Sequence, residues 1–139
     1  GFLHWGHDIS PEENQYEAGL NFAISYKKEN DFIGKERLLK VKDKKQDRRF
    51  IMLSLIDNKP GFPLLLHEEP IYLKDKIIGR TTSGNYSFNY KKNISFGYVK
   101  SEYSNEELSK MELYIEVAKQ KYLAKVEIVP LKDKQARFL

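Results

Sequence analysis

Cysteine is absent from the 139 residues. Disulfide frameworks, thiolate metal sites and cysteine nucleophiles are therefore excluded, and a reducing, cytoplasmic setting is expected. Long apolar runs are also missing. Leu64-Leu65-Leu66 is typical of what is there, far short of the roughly 20 residues a membrane helix requires, so no membrane partner is expected. No Gly-x-Gly-x-x-Gly and no Walker-type loop occurs, which argues against a flavin or nicotinamide dinucleotide site within this chain. Internal repeats and low-complexity tracts are lacking. The chain opens Gly1-Phe2-Leu3-His4-Trp5, without Met and without a basic-then-apolar leader, and Gly1 is expected to mark an artificial or processing boundary.

Charge of one sign is not concentrated either. The 24 basic residues face 20 acidic ones, for a formal net charge of +4. Lys27-Lys28, Lys42 to Lys45 and Lys91-Lys92 are scattered among Glu and Asp. A nucleic-acid binder gathers its cations on one face, so no nucleic-acid partner is expected, and the charges read as a solvated surface. A weak positive field can still draw a polyanionic ligand.

What is present suits one domain, or a small domain with a partial second. Apolar residues make up 40% of the chain and aromatics 13%. Residues 1–10 read as a strand or irregular edge. Ser10-Pro11-Glu12-Glu13 reads as a short helix start, with a Ser cap, Pro in the first turn and acids at the positive end of the dipole. Leu20 to Tyr26 alternates like a strand. Asn30 to Gly34 is a turn, and Lys35 to Val41 a helix with Leu38, Leu39 and Val41 inward. The charge run Lys42 to Arg49 marks a boundary. Beyond it come short strands: Phe50 to Ile56, a hairpin of Glu69 to Leu73 with Ile77 to Thr82, then Ile94 to Val99, and a last hairpin of Leu113 to Val117 with Tyr122 to Val129. Asp57 to Pro63 is a Gly/Pro turn, Ser83-Gly84 a second turn with Gly84 free of side-chain restriction, and Ser101 to Lys110 a polar connection. The fold class is mainly β with minor α (α+β), built around a small antiparallel β-barrel.

Candidate chemistry is sparse. His4 and His7 would point to opposite faces of a strand, and no further ligand of suitable type stands nearby, so no metal site is expected. Ser83-Gly84 lacks the upstream Gly of a nucleophile elbow and reads as hairpin closure. No catalytic residue is assigned. Trp5 reads first as a core anchor, since a single Trp contributes much buried area.

Six ordered segments carry a resemblance: Trp5-Gly6-His7-Asp8-Ile9, Tyr16-Glu17-Ala18-Gly19-Leu20, Asp31-Phe32-Ile33-Gly34-Lys35, Leu66-His67-Glu68-Glu69-Pro70-Ile71, Gly79 to Gly84, and Asn93 to Val99. In that order they resemble the C-terminal part of the aminomethyltransferase (glycine-cleavage T-protein) family. The His-Trp-Gly-His-Asp and Leu-His-Glu-Glu-Pro forms are most similar to the folate domain of dimethylglycine and sarcosine dehydrogenases. The resemblance implies a parent enzyme in which a flavin (FAD) domain, outside this chain, oxidises an N-methyl group. A folate domain then captures the one-carbon unit on tetrahydrofolate. It further implies that residues 1–41 are a strand-helix remnant of the central folate-binding domain and 48–139 the closing barrel. The family's catalytic Asp, folate-binding Glu and an Arg would lie upstream of Gly1. Toward the end of the chain, Arg137 would reach back to the folate. Two positions depart from the family pattern: Lys134 stands where a Pro is usual, and Tyr16 where a Pro precedes the Glu.

A pterin needs an aromatic slot and a polar edge, and its glutamate tail needs cations. Trp5, Tyr16, Tyr86 and Phe88 could line such a slot, and Arg80 or Arg137 could meet the tail; Trp5, Tyr86 and Arg137 are the leading candidates. The isolated chain is expected to be inactive, to need the rest of the parent enzyme as partner, and to self-associate through unpaired edges and a truncated face. Two other readings stay open: a piece of a stand-alone T-protein or folate-dependent demethylase, and a barrel that recognises RNA or another anion.

Overall fold

The computed structural model describes residues 2–57 and 59–127, together with the backbone but not the side chain of Asn105. Six antiparallel strands close on themselves. They are β1 (Arg48–Leu55), β2 (Pro70–Leu73), β3 (Lys76–Ser87), β4 (Lys92–Lys100), β5 (Leu113–Val117) and β6 (Gln120–Glu127). Their order round the barrel is β1-β4-β3-β2-β5-β6, and β1 pairs with β6 from Met52↔Glu127 to Leu55↔Ala124. Among the described residues the barrel sheet therefore has no free edge, and the preceding segment, where unpaired edges are expected, contains no strand before Arg48.

Alternation sets the two surfaces of the barrel. Ile51, Leu53 and Leu55 of β1 point inward to meet Ile71, Ile78, Val99, Leu113, Ile115, Ala124 and Val126. Leu65 of the connection before β2 and Leu108 of α2 (Asn105–Lys110) complete this core. The outward residues of β1 and β4 form a second apolar surface. Phe50 lies 5.2 Å from Phe96 and 5.3 Å from Tyr98 between ring centroids.

Several local expectations change. Ser83 and Gly84 do not form a turn: they continue β3, opposite Phe96 and Ser95. Gly84 is required by close packing, because a Cβ there would stand 2.6 Å from Leu65 Cβ. Residues 2–10 take the irregular alternative, with a turn over Gly6 to Asp8 and one bridge between Trp5 and Ile9. Leu20 to Tyr26 contains the 3-10 turn Asn21–Ala23 instead of a strand. Its backbone bonds are local, Ala23 N–H to Leu20 O and Ile24 N–H to Asn21 O, so the alternation found no neighbouring strand. The helix α1 (Lys35–Lys42) forms as expected, but none of its residues is fully buried and Leu39 is exposed. The connection Ser101 to Lys110, expected to be a polar link, contains α2. No helix among the described residues is long and apolar enough to cross a membrane.

Candidate functional site

Residues 2–20 lie against the outer wall of the barrel, and two acidic clusters hold them there. Asp8 is 2% exposed. One carboxylate oxygen accepts from the Thr82 hydroxyl at 2.6 Å and the Ser83 hydroxyl at 2.7 Å, and the other from the His4 backbone N–H at 2.8 Å. Its own carbonyl accepts from the Tyr98 hydroxyl at 2.9 Å. A buried carboxylate needs this many donors to offset lost hydration. Ser83 thus donates directly to a carboxylate, an arrangement that fixes a chain segment and leaves no imidazole between them to accept a proton.

The second cluster centres on Arg48 at the start of β1. Its guanidinium lies 3.0 Å from Glu13 and 3.5 Å from Glu17, and 5.3 Å from the centre of the Tyr98 ring. Glu17 also accepts from Asn14 N–H, while its carbonyl accepts from Phe50 N–H at 2.9 Å. Burial, with Glu13 next, pushes the Tyr98 hydroxyl well above its ordinary pKa, although Arg48 opposes the shift. Tyr16 is raised to about 12 by burial and by its hydrogen bond to Tyr26. The Ser10 to Glu13 stretch, expected to start a helix, instead makes a turn in which Ser10 N–H and hydroxyl both donate to Glu13.

Between this segment and the wall runs an apolar groove of about 400 Å³, lined by Leu3, Ala18, Leu20, Phe22, Met52 and Phe96 among others. Large apolar side chains of the same segment stay uncovered. Phe2 is 98% exposed, Phe22 81%, and Trp5 65%. Trp5 is therefore not the core anchor its type suggested: its turn is bolted down by Asp8, and the indole faces outward. Tyr86, at the far end of β3, is half-buried and meets Phe88 edge-on at 5.2 Å. Arg137 lies outside the described residues, so only Trp5 and Tyr86 of the three expected folate contacts can be placed. The clamp formed by Asp8, Arg48, Thr82 and Tyr98 was not anticipated; the separation of Asp8 from Thr82 and Ser83 in sequence hides it.

The two carboxylates of this region do not fit a pterin edge. Asp8 and Glu17 are both buried and already satisfied by internal donors. Glu13 beside them is likewise engaged, by Arg48 and by the Ser10 N–H and hydroxyl. The three histidines do converge, in turns instead of on opposite strand faces: His4 and His7 rings are 4.8 Å apart and His7 and His67 rings 6.0 Å apart. Among the described residues, however, no group of three or more His, Cys, Asp or Glu is arranged to hold a metal ion.

Comparison with known proteins gives this geometry a context. Residues 48–133 match the family model described as the glycine cleavage T-protein C-terminal barrel domain. An aminomethyltransferase of Listeria welshimeri is 37% identical over 126 residues, covering 91% of this chain and 33% of that protein. The mitochondrial dimethylglycine dehydrogenase of Rattus norvegicus is 38% identical over 105 residues, 74% of this chain and 12% of that protein. A 4-methylaminobutanoate oxidase (formaldehyde-forming) of Paenarthrobacter nicotinovorans is 43% identical over 86 residues, 62% of this chain and 10% of that protein. The crystal structure of the glycine cleavage system aminomethyltransferase T from Bartonella henselae superposes with a TM-score of 0.77 at 20% identity, over 93% of this chain and 35% of that one. The chain thus spans about a third or less of the length of these relatives.

Proposed function

Since the chain belongs to the glycine cleavage T-protein C-terminal barrel family, we propose that it is the closing barrel of a folate-dependent one-carbon-transfer enzyme. In this reading the parent removes a one-carbon unit from an N-methylated glycine such as dimethylglycine or sarcosine and passes it to tetrahydrofolate. A flavin segment elsewhere in the parent performs the oxidation. The observation that carries the reading is the outer wall. An apolar groove lined by exposed Phe22, on a segment that also exposes Phe2 and Trp5, is costly to leave in water, and it belongs to a chain that covers only 33% of its Listeria relative. The upstream portion of the parent is the natural occupant. Trp5 and Tyr86 would contribute aromatic surface to the folate cleft, Arg137 a cation, and the reacting groups would come from that upstream portion.

Isolated residues 1–139 should then bind tetrahydrofolate weakly or not at all. Calorimetry is expected to show no saturable heat with the chain alone and a one-to-one isotherm once the upstream portion is joined to it. Tight stoichiometric binding by the chain alone would overturn the proposal. A stand-alone T-protein is the second reading, favoured by the breadth of the Listeria match. The gene upstream of Gly1 separates the two, because only the dehydrogenase branch carries a flavin segment with its Gly-rich phosphate loop.

A further inference from the structure

A second cleft, of about 640 Å³, opens at the lip of the barrel between the 59–63 loop and the β5–β6 hairpin. It shares no lining residue with the groove beneath the N-terminal segment. We propose that this cleft binds a small planar aromatic ligand carrying one negative charge.

Three observations converge on that ligand. The first is rigidity. Asn93 of β4 is 1% exposed, and its amide donates to the Lys59 carbonyl at 3.3 Å and the Phe62 carbonyl at 3.2 Å. Phe62 N–H closes the loop on Lys59 O at 3.0 Å. A buried side-chain amide spent on two loop carbonyls holds Phe62 in place before any ligand arrives, which lowers the ordering cost of binding.

The second is the wall chemistry. Phe62 is exposed, yet it meets Tyr122 edge-on at 6.1 Å. Pro63 and Tyr114 extend the same surface. Aromatic walls that are open to solvent and fixed in angle favour a flat ring, which can stack or meet them edge-on. The cleft volume lies within the range of small-molecule pockets.

The third is charge. Lys59, Lys121 and Asp57 line the cleft. The Lys121 ammonium is occupied, 4.0 Å above the Tyr72 ring and 3.7 Å from Asp75. Lys59 forms no ion pair among the described residues. Asp57 likewise forms no ion pair among the described residues, so two ammoniums stand against one carboxylate in the lining, and the remaining positive charge suits one carboxylate or similar anion on the ligand's ring.

The test is a titration of the protein with 2-naphthoate, followed by the NMR signals of its aromatic rings. The expected result is saturable binding with a Kd of about 1 mM, the strength set by the efficiency typical of a ligand this size. Shifts should fall on Phe62, Tyr114 and Tyr122 and spare the Trp5 indole. Phe62→Ala should weaken binding about tenfold, the loss of one stacking wall. Neutral 2-naphthylmethanol should bind about three- to fivefold more weakly than 2-naphthoate, as should the Lys59→Gln variant bind the anion. Because Phe62→Ala could loosen its loop, Lys59→Glu serves as a second variant on an exposed side chain, and it should all but abolish binding of the anion. Absence of saturation, shifts at Trp5 and Phe22 in place of the cleft rings, or equal affinity for the neutral and anionic probes would overturn the proposal.

Discussion

Asp8 does more for this molecule than its place in a turn suggests. Its carboxylate accepts from three donors, two of them side chains on β3, and its carbonyl holds Tyr98 on β4. Truncation would leave those donors buried without a partner. Asp8→Ala should therefore cost about 3 kcal/mol of stability and Asp8→Asn less, measured by urea unfolding. A loss for the Ala variant below about 0.5 kcal/mol, the scale of an ordinary surface change, would contradict the clamp. Tyr98 adds a pH signature. Burial raises its pKa in the folded state, so the stabilisation it provides is complete below its unfolded value of about 10 and is lost as the pH climbs beyond it. Tyr98→Phe should cost about 1 kcal/mol at neutral pH through the lost bond to Asp8. The variant's melting temperature should then fall less steeply than the parent's above about pH 10. Parallel curves through that window would show that the hydroxyl titrates no differently once folded.

At the level of elements, α2 is the clearest case of a structure written in a short pattern. Ser104 accepts from Glu107 N–H while Glu107 accepts from Ser104 N–H, a reciprocal capping box. The element sets Leu108 into the core. Ser104→Ala should cost about 1 kcal/mol, readable by thermal melting. The Ser104 backbone donor also holds the Glu107 carboxyl below its usual pKa. The benefit is therefore present at neutral pH and disappears as the pH falls through the lowered value, so Glu107→Gln should match the parent in strongly acid solution and trail it near neutrality. Ser-x-x-Glu was visible in the sequence, but four Glu and Lys neighbours made the stretch read as a solvated link. The strands were legible because inward residues such as Ile51, Leu53 and Leu55 alternate. Gly79 and Gly84 were less so. Ser-Gly is commonly a turn, whereas here both glycines admit close neighbours, Gly79 so tightly that a Cβ would sit 2.0 Å from the Tyr98 carbonyl oxygen. Gly79→Ala should fold poorly or lose several kcal/mol, about 3 or more, to backbone displacement; circular dichroism and unfolding curves would show it. Trp5 was unreadable for a different reason: composition reports that an indole is apolar, and only contacts across the fold report which way it faces.

For the whole molecule, closure of the barrel and exposure of its outer wall point to one behaviour. With β1 paired to both β4 and β6, strand addition at an edge is unavailable. Phe2, Trp5 and Phe22 remain exposed, as does the groove that Phe22 lines. The chain should self-associate reversibly through side chains of that face, with an apparent mass in light scattering that rises with concentration and returns toward monomer in a Trp5→Lys/Phe22→Lys variant. A clean monomer at high concentration, with low apolar-dye binding, would count against this. The barrel was legible as a set of short strands. Its closure and the docking of residues 2–20 were not, because both depend on pairings such as Met52↔Glu127 and Asp8 with Thr82 that sequence spacing does not encode.

The flanking of β1 on both sides has a mechanical consequence. A tug applied at the amino end would first have to pull Asp8 and the Arg48 carboxylate pair from the wall, a low-force event. It would then have to shear two ladders at once, from Arg48↔Lys100 to Ser54↔Ile94 on one flank and Met52↔Glu127 to Leu55↔Ala124 on the other. The molecule should therefore stretch in two stages under load, a soft release of the leading segment followed by an abrupt, brittle rupture.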